Sequence, residues 1–442
     1  MGTKTTKKES TAIINSMTSG VVPRIGLEHI AVGRKNETES ILRDLSNIGE
    51  GAAVFRFICG RYGSGKSFLL QIIRNQAIKS GFIVADVDLS PEKRLTGSAN
   101  QGLNTYRELL QRMATKARPD GGDMEGLLQK WIENIKKRVI KSGVSLGDSN
   151  FDALVEARII ETIEETESFA HGFDFAAALA AYYRSFSSGD DELKQAAVKW
   201  LRGEFTTKTA AKSLLKVGEI ISDSNWYDYL KLFAFLLSKI GYKGLIIFID
   251  ESVSLYKISH RQSREANYEK LLSLFNDTMQ GKAQGLGIYM TGTAEFIEDE
   301  RRGLFSNEPL KTRLTESRFA RGGLTDWNSP IIRLRQLTPE EIFILLERLA
   351  DIHAIHYGYE KSLSNEQIEV FMNLAVSQMG ADTMLTPREV SRDFLGLLNI
   401  IHQDKSMTFE KLITEGGFVI KSSAENPEDI NSEGGEYAAF EV

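Results

Sequence analysis

Between Gly60 and Ser67 the chain reads Gly-Arg-Tyr-Gly-Ser-Gly-Lys-Ser, a complete G-x4-G-K-S string. Its glycines free the backbone to turn successive amides inward, the way a loop cradles phosphate oxygens. An apolar run over residues 53–59 precedes it and a helical pattern over residues 67–76 follows. The new helix then aims its positive end at the same anion. Gly60, Gly63, Ser64, Gly65, Lys66, Ser67 and the adjoining Phe68 are the candidate cradle. Lys66 is expected to reach the β- and γ-phosphates of ATP, and Ser67 to offer its hydroxyl to Mg²⁺. A glycine-rich turn without a ligand is the alternative, and the flanking elements weigh against it.

A second acidic element completes the chemistry. Residues 244–251 read Gly-Leu-Ile-Ile-Phe-Ile-Asp-Glu, a buried-strand pattern that delivers two carboxylates to its end. Asp250 is expected to hold Mg²⁺ and Glu251 to polarise the attacking water, because phosphoryl transfer needs positioning and charge stabilisation more than covalent help. An apolar run ending in acids is common. Its value comes from the upstream loop.

Other reactive residues carry less. His353 and His356 lack nearby partners for a metal and read as packing or surface histidines. Lys136, Lys137, Arg138 and Lys141 form a tight basic cluster, read first as a solvated helix face and second as a phosphate contact. Residues 436–442 mix aromatics with acids, either as a docking peptide or as a plain tail.

These residues need elements to hold them. Residues 37–48 are amphipathic, residues 53–59 and 82–89 read as strands around the loop and its helix, and the sequence predicts a parallel βαβ unit. Strand patterns return at 245–249, 286–290 and 331–334, each apolar enough to be covered on both faces. Helical periodicity dominates between them, as in Met124, Leu128, Trp131, Ile135 and Val139. Thr338-Pro339-Glu340-Glu341 and Thr386-Pro387-Arg388-Glu389 are helix starts with Thr at the cap, Pro first and Glu third, and Ser364 with Gln367 is a similar box.

The predicted fold class is α/β, a parallel sheet core with a helical insertion and a C-terminal all-helical lid. The expected organisation is a flexible arm over 1–20, a nucleotide-binding core over 21–120 and 226–338, an insertion over 121–225, a lid over 339–420 and a disordered acidic tail over 421–442.

Composition sets the outer limits. Hydrophobic residues at 42% and charged ones at 26% suit a globular protein, and the net charge of −6 gives no global signature of nucleic-acid binding. One cysteine, Cys59, fits a reducing cytoplasm without a disulfide framework. No membrane span or secretion signal is read.

The order of these motifs resembles the ATP-binding proteins of BREX-type bacterial phage-defence systems, a branch of origin-recognition-like AAA+ P-loop proteins. The resemblance is carried by residues 19–23, 32–34, 60–68, 86–90, 248–251, 291–293 and 385–389 with Phe394. It implies an ATPase of a defence locus: a homo-oligomer acting on or near DNA beside other defence-system proteins. It also implies residue roles. Val32, Gly33 and Arg34 match a box whose backbone contacts the base. Thr293 is the first choice for a γ-phosphate sensor and Thr291 the reserve, although the usual residue there is asparagine. Arg388 corresponds to the lid arginine that reaches the γ-phosphate, and its place in a helix first turn, against the dipole, suggests an anionic partner. Arg313 is the choice for a finger donated to a neighbouring subunit, with Arg301, Arg302 and Arg318 as further candidates. An ATP-binding scaffold with negligible hydrolysis is the competing reading; a small-molecule kinase and a RecA-like helicase fit the lid less well.

Overall fold

Strand β3 (Leu245–Asp250) illustrates how the centre of the protein is built. Its side chains alternate between two cores: Leu245, Ile247 and Ile249 join one, Ile246 and Phe248 the other. Period-two alternation with apolar residues in both sets is what a strand covered on both faces requires. Each fully buried aliphatic or aromatic side chain contributes about 1.5–3 kcal/mol relative to exposure.

The computed structural model describes residues 5–164, 171–320, 324–377 and 386–414. Two compact units divide it. The larger comprises Arg34–Arg61 and Lys66–Arg335; the smaller is drawn from Met1–Gly33, Tyr62–Gly65 and Gln336–Val442.

The larger unit is α/β. Strands β1 (Val54–Cys59), β2 (Ile83–Asp88), β3, β4 (Leu286–Gly292) and β5 (Ile331–Arg333) form one five-stranded sheet in the order β2-β3-β4-β1-β5. Every pairing is parallel, with Ile58 opposite Thr291 and Asp88 opposite Asp250. One face packs with helices Lys35–Gly49 and Lys66–Lys79 through Ile41, Leu45, Leu69 and Ile73. The other shares a continuous core with the helical stretch, where Trp131, Ile135, Tyr182, Trp200 and Trp226 join Phe55 and Ile247. The helices Met124–Lys141, Phe151–Glu164, Gly172–Ser188, Asp191–Leu201 and Lys208–Leu215 extend this core, with Met124–Lys141 and Gly172–Ser188 packing on helix Trp226–Ile240, which itself meets β3. A buried ion pair ties helix Lys35–Gly49 to the sheet: Arg56 on β1 donates to both oxygens of Asp44 at 2.8 and 2.7 Å.

The smaller unit is helical. Pro339–Tyr357 and Pro387–Gln403 both start on capping boxes, at Thr338 with Glu341 and at Thr386 with Glu389. Ser364 and Gln367 make the reciprocal bonds of a third. The segment expected as a flexible arm over 1–20 differs. Lys7–Thr18 is a helix, capped by Thr6 and Glu9, that packs against Pro339–Tyr357 and Pro387–Gln403 and buries Ile13 and Ile14. The tail expected over 421–442 lies outside the described residues.

Candidate functional site

The strand–loop–helix expected at residues 53–76 forms with β1 leading into the loop and helix Lys66–Lys79 leaving it. Gly63 and Gly65 take φ of +74° and +92°, the left-handed region that side chains with a Cβ resist. Lys66 Nζ donates to the carbonyls of Gly60 and Arg61, both at 2.9 Å, which folds the lysine back over its own loop. Phe68 is half-buried in the first turn and Ser64 is buried.

Beyond the core they share, helix Lys66–Lys79 and β3 are joined at the Asp250 carboxylate. Ser67 Oγ donates to Asp250 Oδ2 at 2.7 Å, and the Glu251 amide donates to Asp250 Oδ1 at 2.9 Å. The Thr291 hydroxyl also donates to Oδ1. Parallel pairing explains the convergence, because β1, β3 and β4 present their carboxyl ends on the same side with β4 between the other two. A hydroxyl beside a carboxylate is a hard oxygen pair suited to Mg²⁺, which takes one or two protein ligands and completes its shell with water and phosphate.

Glu251 follows in a left-handed backbone conformation, φ 54°, unusual for a residue other than glycine. Such strain persists where surrounding structure fixes it, and functional sites are where it concentrates. Burial, and next the Asp250 charge, push the Glu251 carboxyl above the usual carboxylate range. Asp88, at the end of β2, is raised in the same way, and Arg112 faces it at 3.6 Å. Asp88 was not among the expected site residues. Its signal was an acid closing an apolar strand, but only the pairing with β3 shows it beside Asp250.

The remaining expected residues divide. Thr293 caps helix Ala294–Glu298, its hydroxyl accepting from the Phe296 amide at 3.3 Å, so Thr291 and not Thr293 meets Asp250. Arg34 is buried, held by Glu37 at 3.4 Å and by the Arg335 carbonyl at 2.8 Å, which makes its guanidinium a strut. Gly33, in the smaller unit, has φ +68°, and the Glu341 carboxylate fills the space a Cβ would need. Arg313 is tied to Asn276 at 2.8 Å and to the Pro309 carbonyl at 2.9 Å. Arg302 donates to the Tyr256 and Ile258 carbonyls, whereas the exposed Arg301 and Arg318 side chains make no hydrogen bond or ion pair among the described residues.

Tyr62–Gly65 groups with the helical unit, and there Arg388 donates to the Tyr62 hydroxyl at 3.1 Å with its guanidinium 5.3 Å from the ring centroid. Arg388 therefore rests on an aromatic side chain of the glycine-rich loop rather than on a carboxylate, a partner its position in the sequence did not suggest. His353 is fully buried between Tyr359 at 2.6 Å and Asn399 at 3.0 Å, and no group of metal-ligating side chains occurs among the described residues.

The sequence profile described as "BREX system ATP-binding protein BrxC/D" matches residues 5–416. The chain belongs to this family. No curated protein matches it as a relative. Membership in the BrxC/D family makes ATP the nucleotide and gives the chain an ATP-binding role in BREX phage defence. No helix among the described residues is long and apolar enough to cross a membrane.

Proposed function

We propose that this BrxC/D protein is an AAA+-type ATPase that hydrolyses Mg-ATP in the cytoplasm, works as a homo-oligomer and associates with DNA and other defence-system proteins. The observation that carries the hydrolytic reading is the 2.7 Å bond between Ser67 and Asp250, which joins the phosphate loop's helix to the strand bearing Glu251.

In this reading ATP displaces the loop carbonyls from Lys66, whose ammonium then neutralises the β- and γ-phosphates. Ser67 and Asp250 hold Mg²⁺, which supplies charge neutralisation on the phosphates. Glu251 accepts hydrogen bonding from the attacking water, and its raised affinity for protons brings it nearer the ideal for a general base. Thr291, between the phosphate loop and Asp250, takes the sensor role first given to Thr293. The backbone of Val32 and Gly33 contacts the base, leaving Arg34 as support. Arg388 reads the γ-phosphate from a position set by Tyr62. The exposed Arg318 and Arg301 replace Arg313 as finger candidates, because a finger must be free to reach a neighbouring subunit.

Glu251→Gln tests the hydrolytic step. ATP binding should persist while turnover falls by about 10²–10⁴-fold, the usual contribution of a general base. Full residual hydrolysis would remove Glu251 from the role. Wild-type protein that binds ATP but shows no steady-state turnover, with or without DNA, would instead support a nucleotide-controlled scaffold.

A further inference from the structure

Helix Met124–Lys141 places Lys130, Lys137 and Lys141 along one line of its surface, with Asn134 and Arg138 beside them. All four cations are exposed. Lys137 and Lys141 make no side-chain hydrogen bond or ion pair among the described residues. The contacts of the other two are not to carboxylates: Lys130 Nζ lies 4.2 Å from the Tyr242 ring centroid, and Arg138 donates to the Lys239 carbonyl at 3.5 Å. Asn134 donates to the Ile240 carbonyl at 3.2 Å, so this line runs beside the end of helix Trp226–Ile240, where exposed Lys243 adds a further cation. Glu133 precedes Lys137 by one helical turn, yet no ion pair joins them. Unbalanced positive charge gathered here contrasts with the net −6 of the whole chain.

We propose that this surface docks the sugar-phosphate backbone of duplex DNA without reading its sequence; the proposal rests on the DNA-association reading above and supplies its location. Lys130 to Lys141 spans roughly 16 Å at about 1.5 Å per residue, close to half a duplex turn of about 34 Å. Duplex DNA carries about one charge per 1.7 Å of axis, so a line of cations of that length meets several phosphates. Single-stranded nucleic acid calls for exposed aromatic faces on which bases stack. Here the neighbouring aromatic rings are occupied, Tyr242 by Lys130 and Tyr183 by Lys136, whose Nζ is 5.3 Å from the centroid.

The test is fluorescence anisotropy of a labelled duplex with the full-length protein across a salt series, comparing wild type with Lys130→Gln/Lys137→Gln/Arg138→Gln/Lys141→Gln. The variant should bind at least about 10-fold more weakly at roughly 0.1 M salt. Its log–log salt slope should shrink by about 3–4, near one per lost phosphate contact. ATP affinity and melting temperature serve as controls, since none of these residues belongs to the nucleotide site. If the fourfold variant does not fold, Lys137→Glu/Lys141→Glu replaces it, because those side chains hold no partner whose loss would unfold the helix. Wild-type binding left unchanged by the substitutions would overturn this surface while sparing DNA association. No wild-type binding at about 0.05 M salt would overturn both, and vesicles of anionic lipid competing equally with duplex would overturn the assignment to DNA.

Discussion

Asp250 is where residue-scale chemistry concentrates: its two oxygens accept from Ser67, Thr291 and the Glu251 amide. A hydrogen bond to a charged group is worth about 1.5–3 kcal/mol, so losing the one from Thr291 should misplace the carboxylate proposed to hold Mg²⁺. Thr291→Ala is expected to lower kcat by roughly 10- to 100-fold, together with a drop in melting temperature from the lost buried hydrogen bond. Thr293→Ala should remove a helix cap at a cost of about 1 kcal/mol while keeping kcat within about threefold of wild type. Paired ATPase and thermal-denaturation measurements decide it; equal loss of activity in both would reject the distinction. The sequence made Ser67, Asp250 and Glu251 legible because their spacing from strand ends is itself the signal. It left the threonines open because they share strand parity, and only the chain's turn after Gly292 commits Thr293 to the cap of a new helix.

At the scale of elements, the strands were legible as apolar runs and two late helices as Thr-Pro-Glu starts, since these depend on local chemistry. The helix Lys7–Thr18 was missed because its apolar side is narrow and its surroundings are polar, although Thr6 and Glu9 spell the same capping box. What stabilises it is burial of Ile13 and Ile14 against residues far away in sequence, which periodicity in a short window does not report. The partner helix Pro339–Tyr357 has its own titration. Burial lowers the His353 pKa below the ordinary histidine value, against the opposing pull of Asn399, which accepts from its ring, while His402 and His356 add repulsion to its charged form. The buried imidazole thus favours its neutral form, so the folded state binds fewer protons than the unfolded chain once pH drops below about 6.5. His356, also lowered by burial, acts in the same direction. Stability from these residues is complete above that pH and is lost as pH falls through their lower folded values. Denaturant titrations at pH 7.5 and 5.5 should show wild type losing more stability on acidification than His353→Gln; identical losses would contradict the account.

At the scale of the whole molecule, the sheet and its two covering layers bring four distant segments, around residues 60–67, 88, 250 and 291, to one end of one sheet. Parallel strands make this arrangement general, because every strand then finishes on the same side and its last residues become available for chemistry. Family membership adds the identity of the nucleotide, which the geometry of a phosphate loop does not specify. The central claim is that the loop around Lys66 grips the triphosphate of ATP. Isothermal titration of ATP against wild type and Lys66→Ala, each with a matching folded circular-dichroism spectrum, tests it most directly. Affinity in the variant should fall by about 100-fold or more, since a charge-assisted contact to phosphate is lost with its cradle. Unchanged affinity in a folded Lys66→Ala protein would contradict it.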